Sequence, residues 1–74
     1  MMTVEETQEA LRRVKANLIK AHDEFSGVAD RMEARLTTES ERANSKEYGI
    51  VCYTLGILEE QVAEVSNQLT RLNK

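Results

Sequence analysis

Two runs of apolar residues at heptad spacing constrain this chain more than any other feature. In the first run, the N-terminal seam, an apolar residue recurs every seven positions from Val4 to Met32. In the second run, the C-terminal seam, the steps alternate between three and four from Tyr48 to Leu72. Such spacing places one apolar stripe along an α-helix, and the chain has no proline to interrupt it. We therefore predict an all-α fold built from two long helices.

The two seams do not fit one continuous helix. Extending the N-terminal seam in steps of seven reaches Glu39 and Lys46, whereas the C-terminal seam starts at Tyr48. The offset between the two seams is two residues, and on a single helix it would turn the apolar stripe by about 160°. The helix therefore has to be interrupted between the two seams.

The interruption falls in a polar stretch that carries helix-start signals. Thr38, followed three residues later by Glu41, forms a capping box, and Asn44 or Ser45 offers a second N-cap. The predicted elements are a helix over about 4–36, a polar turn over about 37–44 and a helix over about 45–72, with 39 as an alternative start.

Folding the chain back at this turn pairs the two seams in an antiparallel helical hairpin, and residues 1–74 form a single domain. The seam residues then make up the core of the hairpin. The predicted core residues are Leu11, Val14, Leu18, Phe25, Val28, Met32, Tyr48, Val51, Leu55, Leu58, Val62, Val65 and Leu69.

A further apolar group lies on the second helix, away from its seam. On a helical wheel Ile50, Tyr53 and Ile57 cluster roughly 150° from the seam residues, with Gly49 and Gly56 beside them. We call these five residues the outer face. A two-helix hairpin needs one apolar stripe per helix, so a helix that is apolar on two sides is buried on two sides. We predict that the outer face binds either a second copy, giving a four-helix bundle, or a different protein.

The uncharged stretch 48–58 has other possible structures. Its β-branched residues and tyrosines favour a strand, but the helical register continues beyond it and no partner strand is available. The stretch is also too short to span a bilayer, which takes about 20 residues. A helix is therefore the preferred interpretation.

Length and charge limit the classes of function. A chain of 74 residues is near the lower limit for independent folding, so a partner is expected to support it. The net charge is −3, and the charges from Glu47 to Thr70 are all acidic, which disfavours nucleic-acid binding. Residues 1–25 contain no uninterrupted apolar run, so we predict no signal peptide and a cytoplasmic location.

No arrangement of residues indicates catalysis or a cofactor. Cys52 is the only cysteine, which excludes a disulfide within the chain, and its apolar neighbours predict a buried, inert thiol. His22 lies thirty residues from Cys52, so no metal site is predicted. His22 itself is expected to flank the hairpin. We predict a protein that is not an enzyme.

The second helix also resembles a known family. An aliphatic residue, Leu58, lies ten positions after Tyr48, and Glu59 follows it directly. Two further aliphatic residues, Val62 and Val65, lie four and seven positions after Leu58. With the lead-in "SKEY" at 45–48 and the opening "MTVEE" at 2–6, this pattern is similar to the YscE-like family of type III secretion needle-protein co-chaperones.

The resemblance implies a hairpin of two antiparallel helices and a cytoplasmic role in protein binding. Such a protein pairs with a helical-repeat chaperone, and the two hold the needle subunit monomeric before export. The resemblance supplies the class of partner, whereas the outer face comes from the helical wheel. The alternative functions are a homodimeric four-helix-bundle protein with a structural or interaction role and a small protein inhibitor or antitoxin.

Overall fold

The computed structural model describes residues 2–73, and these residues form three helices. Helix α1 spans Val4–Arg35, α2 spans Glu39–Asn44 and α3 spans Lys46–Leu72. The two long helices, α1 and α3, pack side by side in opposite directions along a molecule 52 Å long. The predicted all-α antiparallel hairpin is confirmed.

Each helix begins at a hydroxyl side chain that caps its first turn. Thr3 Oγ1 accepts a hydrogen bond from the Glu6 amide at 3.1 Å, and Ser45 Oγ accepts one from the Tyr48 amide at the same distance. A side-chain oxygen in this position satisfies an amide that has no partner within the helix. The local sequence therefore sets where the long helices begin.

The link between the long helices differs from the predicted polar turn over 37–44. Most of it is helical, because Thr38 Oγ1 accepts from the Glu41 amide at 3.1 Å and donates to the Glu41 carboxylate at 3.0 Å. Ser45 then adopts an extended backbone, which ends α2 and starts α3. The two helix starts that the sequence offers as alternatives are therefore both used.

The side chain of Arg42 ties this corner to the end of α1. Its Nε donates to the Leu36 carbonyl at 2.8 Å, and its guanidinium lies 3.9 Å from the Glu33 carboxylate. The Leu36 carbonyl lies just beyond the last turn of α1, where carbonyl oxygens lack partners within the helix. Arg42 thus fixes the direction in which the chain leaves α1.

Two hydrogen bonds between side chains show the register of α1 against α3. Gln8 Nε2 donates to Asn73 Oδ1 at 2.6 Å, and His22 Nε2 lies 3.0 Å from Glu59 Oε1. Between these contacts α1 advances by 14 residues, from Gln8 to His22, while the chain runs back by 14 residues from Asn73, the C-cap of α3, to Glu59. Two heptads on one helix thus match two heptads on the other, as expected for paired seams.

The core of the hairpin is thin. Among the described residues only Ala29 and Val51 are fully buried, at 7% and 6% exposed. Val14, which the seam places in the core, is instead 46% exposed. The other predicted core residues are half-buried. Two helices alone cannot surround a side chain on all sides, so most of the seam keeps some contact with solvent.

Candidate functional site

The outer face of α3 lies on the side of the helix that α1 does not cover. Ile50 is 64% exposed, whereas the next residue, Val51, is 6% exposed. Tyr53 is 73% exposed and Ile57 is 39% exposed. Ile50 and Val51 are thus adjacent in the sequence, but the side chain of Ile50 lies in solvent and that of Val51 lies in the seam. The hairpin leaves these three large apolar side chains in water.

The two glycines of the outer face are not needed by the hairpin itself. A Cβ added to Gly49 or Gly56 would meet nothing within 4 Å. None of the glycines has a positive φ, so none requires the freedom of a missing side chain. A glycine within a helix costs about 1 kcal/mol relative to alanine. The packing of α1 against α3 therefore gives no reason for glycine at these two positions.

Charged residues close the outer face at both ends. Lys46 lies one turn before Gly49 and Ile50, and Glu60 lies one turn after Gly56 and Ile57. Both are exposed, and neither forms an ion pair within residues 2–73. The face is thus an apolar strip with a positive end and a negative end.

No family model, curated protein or solved structure matches the chain. Within residues 2–73, no helix is long and apolar enough to cross a membrane. The same residues contain no group of three or more His, Cys, Asp or Glu side chains placed to hold a metal ion.

Cys52 is exposed and not buried as its apolar neighbours predicted. It lies on the flank of α3, about 100° from Val51 on the helix, so adjacent apolar residues do not enclose it.

The thiol of Cys52 interacts with the phenol of Tyr48, and this interaction raises the pKa of Tyr48 above its ordinary value of 10.0. Loss of hydration and the nearby Glu33 carboxylate raise the pKa of Tyr48 further. Deprotonation of the Tyr48 phenol is thus disfavoured in the folded chain.

The raised pKa of Tyr48 predicts a loss of stability in alkali. The folded chain holds this proton more tightly than the unfolded chain, so the free energy of unfolding is expected to fall as the pH rises above 10. In a Tyr53→Phe variant, tyrosinate absorbance reports Tyr48 alone and should give a pKa above 10.0. Adding Cys52→Ala should lower that pKa; an unchanged value would show that the thiol is not its cause.

His22 links the two long helices at the side of the seam. Its Nε2 contacts Glu59 Oε1 at 3.0 Å, and its Nδ1 lies 3.8 Å from the Asp23 carboxylate. The His22 ring, Ile19, Glu59 and Val62 line a shallow apolar depression. This contact places His22 at the flank of the hairpin, and through it Glu59 helps to join α3 to α1.

Proposed function

We propose that this chain is a small cytoplasmic co-chaperone that pairs with a helical-repeat chaperone to keep a type III secretion needle subunit monomeric before export. The observation that carries the proposal is the outer face of α3, where Ile50, Tyr53 and Ile57 are exposed on a helix whose opposite side already packs on α1. The resemblance to the YscE-like family supports the class of partner.

The mechanism is burial of the outer face in a groove of the helical-repeat chaperone. An isoleucine that moves from water into such a groove contributes about 1.5–3 kcal/mol. Tyr53 lies at the centre of the outer face, where tyrosines often dominate binding energy. Gly49 and Gly56 leave open space into which the backbone of the chaperone can approach.

The thin core of the hairpin also favours a role in a complex. Only two of the described residues are fully buried, whereas a domain of this size needs a substantial core or an external support. A chaperone that covers the outer face adds buried apolar area to α3, so binding also stabilises the hairpin.

A pull-down from the native host with the tagged chain tests the proposed function. We expect mass spectrometry to identify a helical-repeat protein together with a small needle-like subunit, both absent from the tag-only control. The needle-like subunit should remain monomeric in the recovered complex and assemble after the complex is taken apart. Recovery of the chain without a helical-repeat protein would contradict the proposed function.

Alanine substitutions at the glycines separate the stability of the hairpin from its binding. Gly49→Ala and Gly56→Ala should each raise the free energy of unfolding by about 0.5–1 kcal/mol, because the added methyl meets open space. The same changes should weaken binding of the helical-repeat chaperone, because the methyl then keeps its backbone away. Urea unfolding and titration of the chaperone measure the two effects.

Gly27 in α1 offers the matched control for these substitutions. A Cβ there would lie 3.8 Å from Arg31 Nη1, which is an ordinary contact. Gly27→Ala should therefore stabilise the hairpin by a similar amount and leave binding unchanged. If all three alanine variants bind the chaperone as the wild type does, close approach at Gly49 and Gly56 is wrong.

A further inference from the structure

The outer face of α3 has a symmetric arrangement about Tyr53. Lys46 lies seven residues before Tyr53 and Glu60 lies seven residues after it, so all three fall on the same side of the helix. Ile50 precedes Tyr53 by three positions and Gly56 follows it by three. A surface of this kind can meet its own copy when the two helices run in opposite directions.

The two edges of the outer face differ in size. Gly49 and Gly56 form one edge, and Ile50 and Ile57 form the other, about 100° away around the helix. Consider a two-fold axis that passes beside Tyr53 and is perpendicular to both helices. This axis places the glycine edges of both copies on one side of the interface and the isoleucine edges of both copies on the other side. The glycine edges of the two copies then meet and let the backbones come close, while the isoleucine edges pack against each other.

The charges at the ends of the outer face match in the same arrangement. Lys46 of one copy lies level with Glu60 of the second copy, and the two-fold axis repeats this pair at the other end. Both side chains are exposed, and neither has an ion-pair partner within residues 2–73. In a parallel arrangement like charges would instead lie level, which disfavours it.

We propose that the free chain forms an antiparallel two-fold dimer through the outer face of α3, with Tyr53 next to the axis and Lys46 paired with Glu60 of the second copy. This inference depends on the geometry of the outer face and not on the proposed function. The surface supplies seven residues from each copy, fewer than the roughly 20–30 per side of a standard interface. The dimer is therefore weak and can be displaced by any partner that covers the same face.

Charge reversal at the two ends tests the proposed dimer. In Lys46→Glu or Glu60→Lys, both ion pairs of the dimer become repulsive, so the dissociation constant from sedimentation equilibrium should rise about tenfold. The double variant Lys46→Glu/Glu60→Lys restores both pairs and should dimerise like the wild type. An equimolar mixture of the two single variants should form a mixed dimer, because each then carries the charge that the other lacks.

Controls keep the test independent of folding and of the proposed function. Lys20→Glu changes an exposed charge on α1 and should leave dimerisation unchanged. Circular dichroism should show equal helix content in all variants, since an acidic residue at the start of α3 suits the helix dipole. A wild-type chain that stays monomeric at about 1 mM, or a double variant as weak as the single ones, would overturn the dimer. Neither result would bear on whether a helical-repeat chaperone binds this face.

Discussion

A Val51→Asp variant is expected to lose most of its helical structure, while an Ile50→Asp variant keeps it. Val51 is among the most buried side chains of the hairpin, at 6% exposed. An unpaired carboxylate there costs several kcal/mol, which is comparable with the total stability of a small domain, about 5 kcal/mol at the low end. The adjacent Ile50 is 64% exposed, so its aspartate stays in water.

Far-ultraviolet circular dichroism and urea unfolding measure both variants under conditions where the chain is monomeric. The Ile50→Asp variant should lose less than about 1 kcal/mol, as substitutions at the surface usually do. The two variants differ by one position in the same helix, so propensity affects them almost equally. If the two variants were equally stable, the account of Val51 as the buried residue of α3 and Ile50 as the exposed one would be wrong.

A Tyr53→Asp variant is expected to bind the helical-repeat chaperone at least 100-fold more weakly while its hairpin stays folded. Tyr53 is 73% exposed, so its removal takes little from the hairpin. In the complex it would lie at the centre of the buried surface, where losing an aromatic side chain often costs about 2 kcal/mol or more. The aspartate adds a charge that loses its hydration, which raises the cost further.

Titration calorimetry with the purified chaperone measures this loss of affinity. Asn67→Asp is a matched control, because it places the same charge at an exposed position of α3 two heptads from Tyr53. Tyr53→Phe keeps the ring and should retain most of the affinity. If Asn67→Asp and Tyr53→Asp weaken binding equally, the effect is one of net charge and the outer face is not the contact.

The hairpin was predictable because its seams are long and regular. Eight apolar residues from Tyr48 to Leu72 keep one register, and the offset from the N-terminal seam requires a break between the helices. The hydroxyl residues Thr38 and Ser45 mark helix starts by a local bond from the side chain to the backbone. Patterns of this kind depend on nearby residues, so the sequence alone reveals them.

Features that depend on how α1 sits against α3 were not predictable in the same way. Ala29 is 7% exposed but lies beside the seam and was not predicted as a core residue. Its burial depends on how α1 is rotated against α3, which heptad spacing within one helix does not specify. Val14 is exposed although it belongs to the seam, because two helices alone cannot surround every seam residue. Cys52 is exposed because it lies about 100° around α3 from the buried Val51.

The composition of the complex retained from the native host tests the central claim most directly. Tagged wild-type, Tyr53→Asp and Asn67→Asp chains are compared side by side, with retained proteins identified and quantified by mass spectrometry. The proposed function predicts a helical-repeat protein and a needle-like subunit in equal amounts with the wild type and with Asn67→Asp, and neither with Tyr53→Asp. Retention of the same two proteins by Tyr53→Asp, or of neither by the wild type, would contradict a co-chaperone that acts through the outer face of α3.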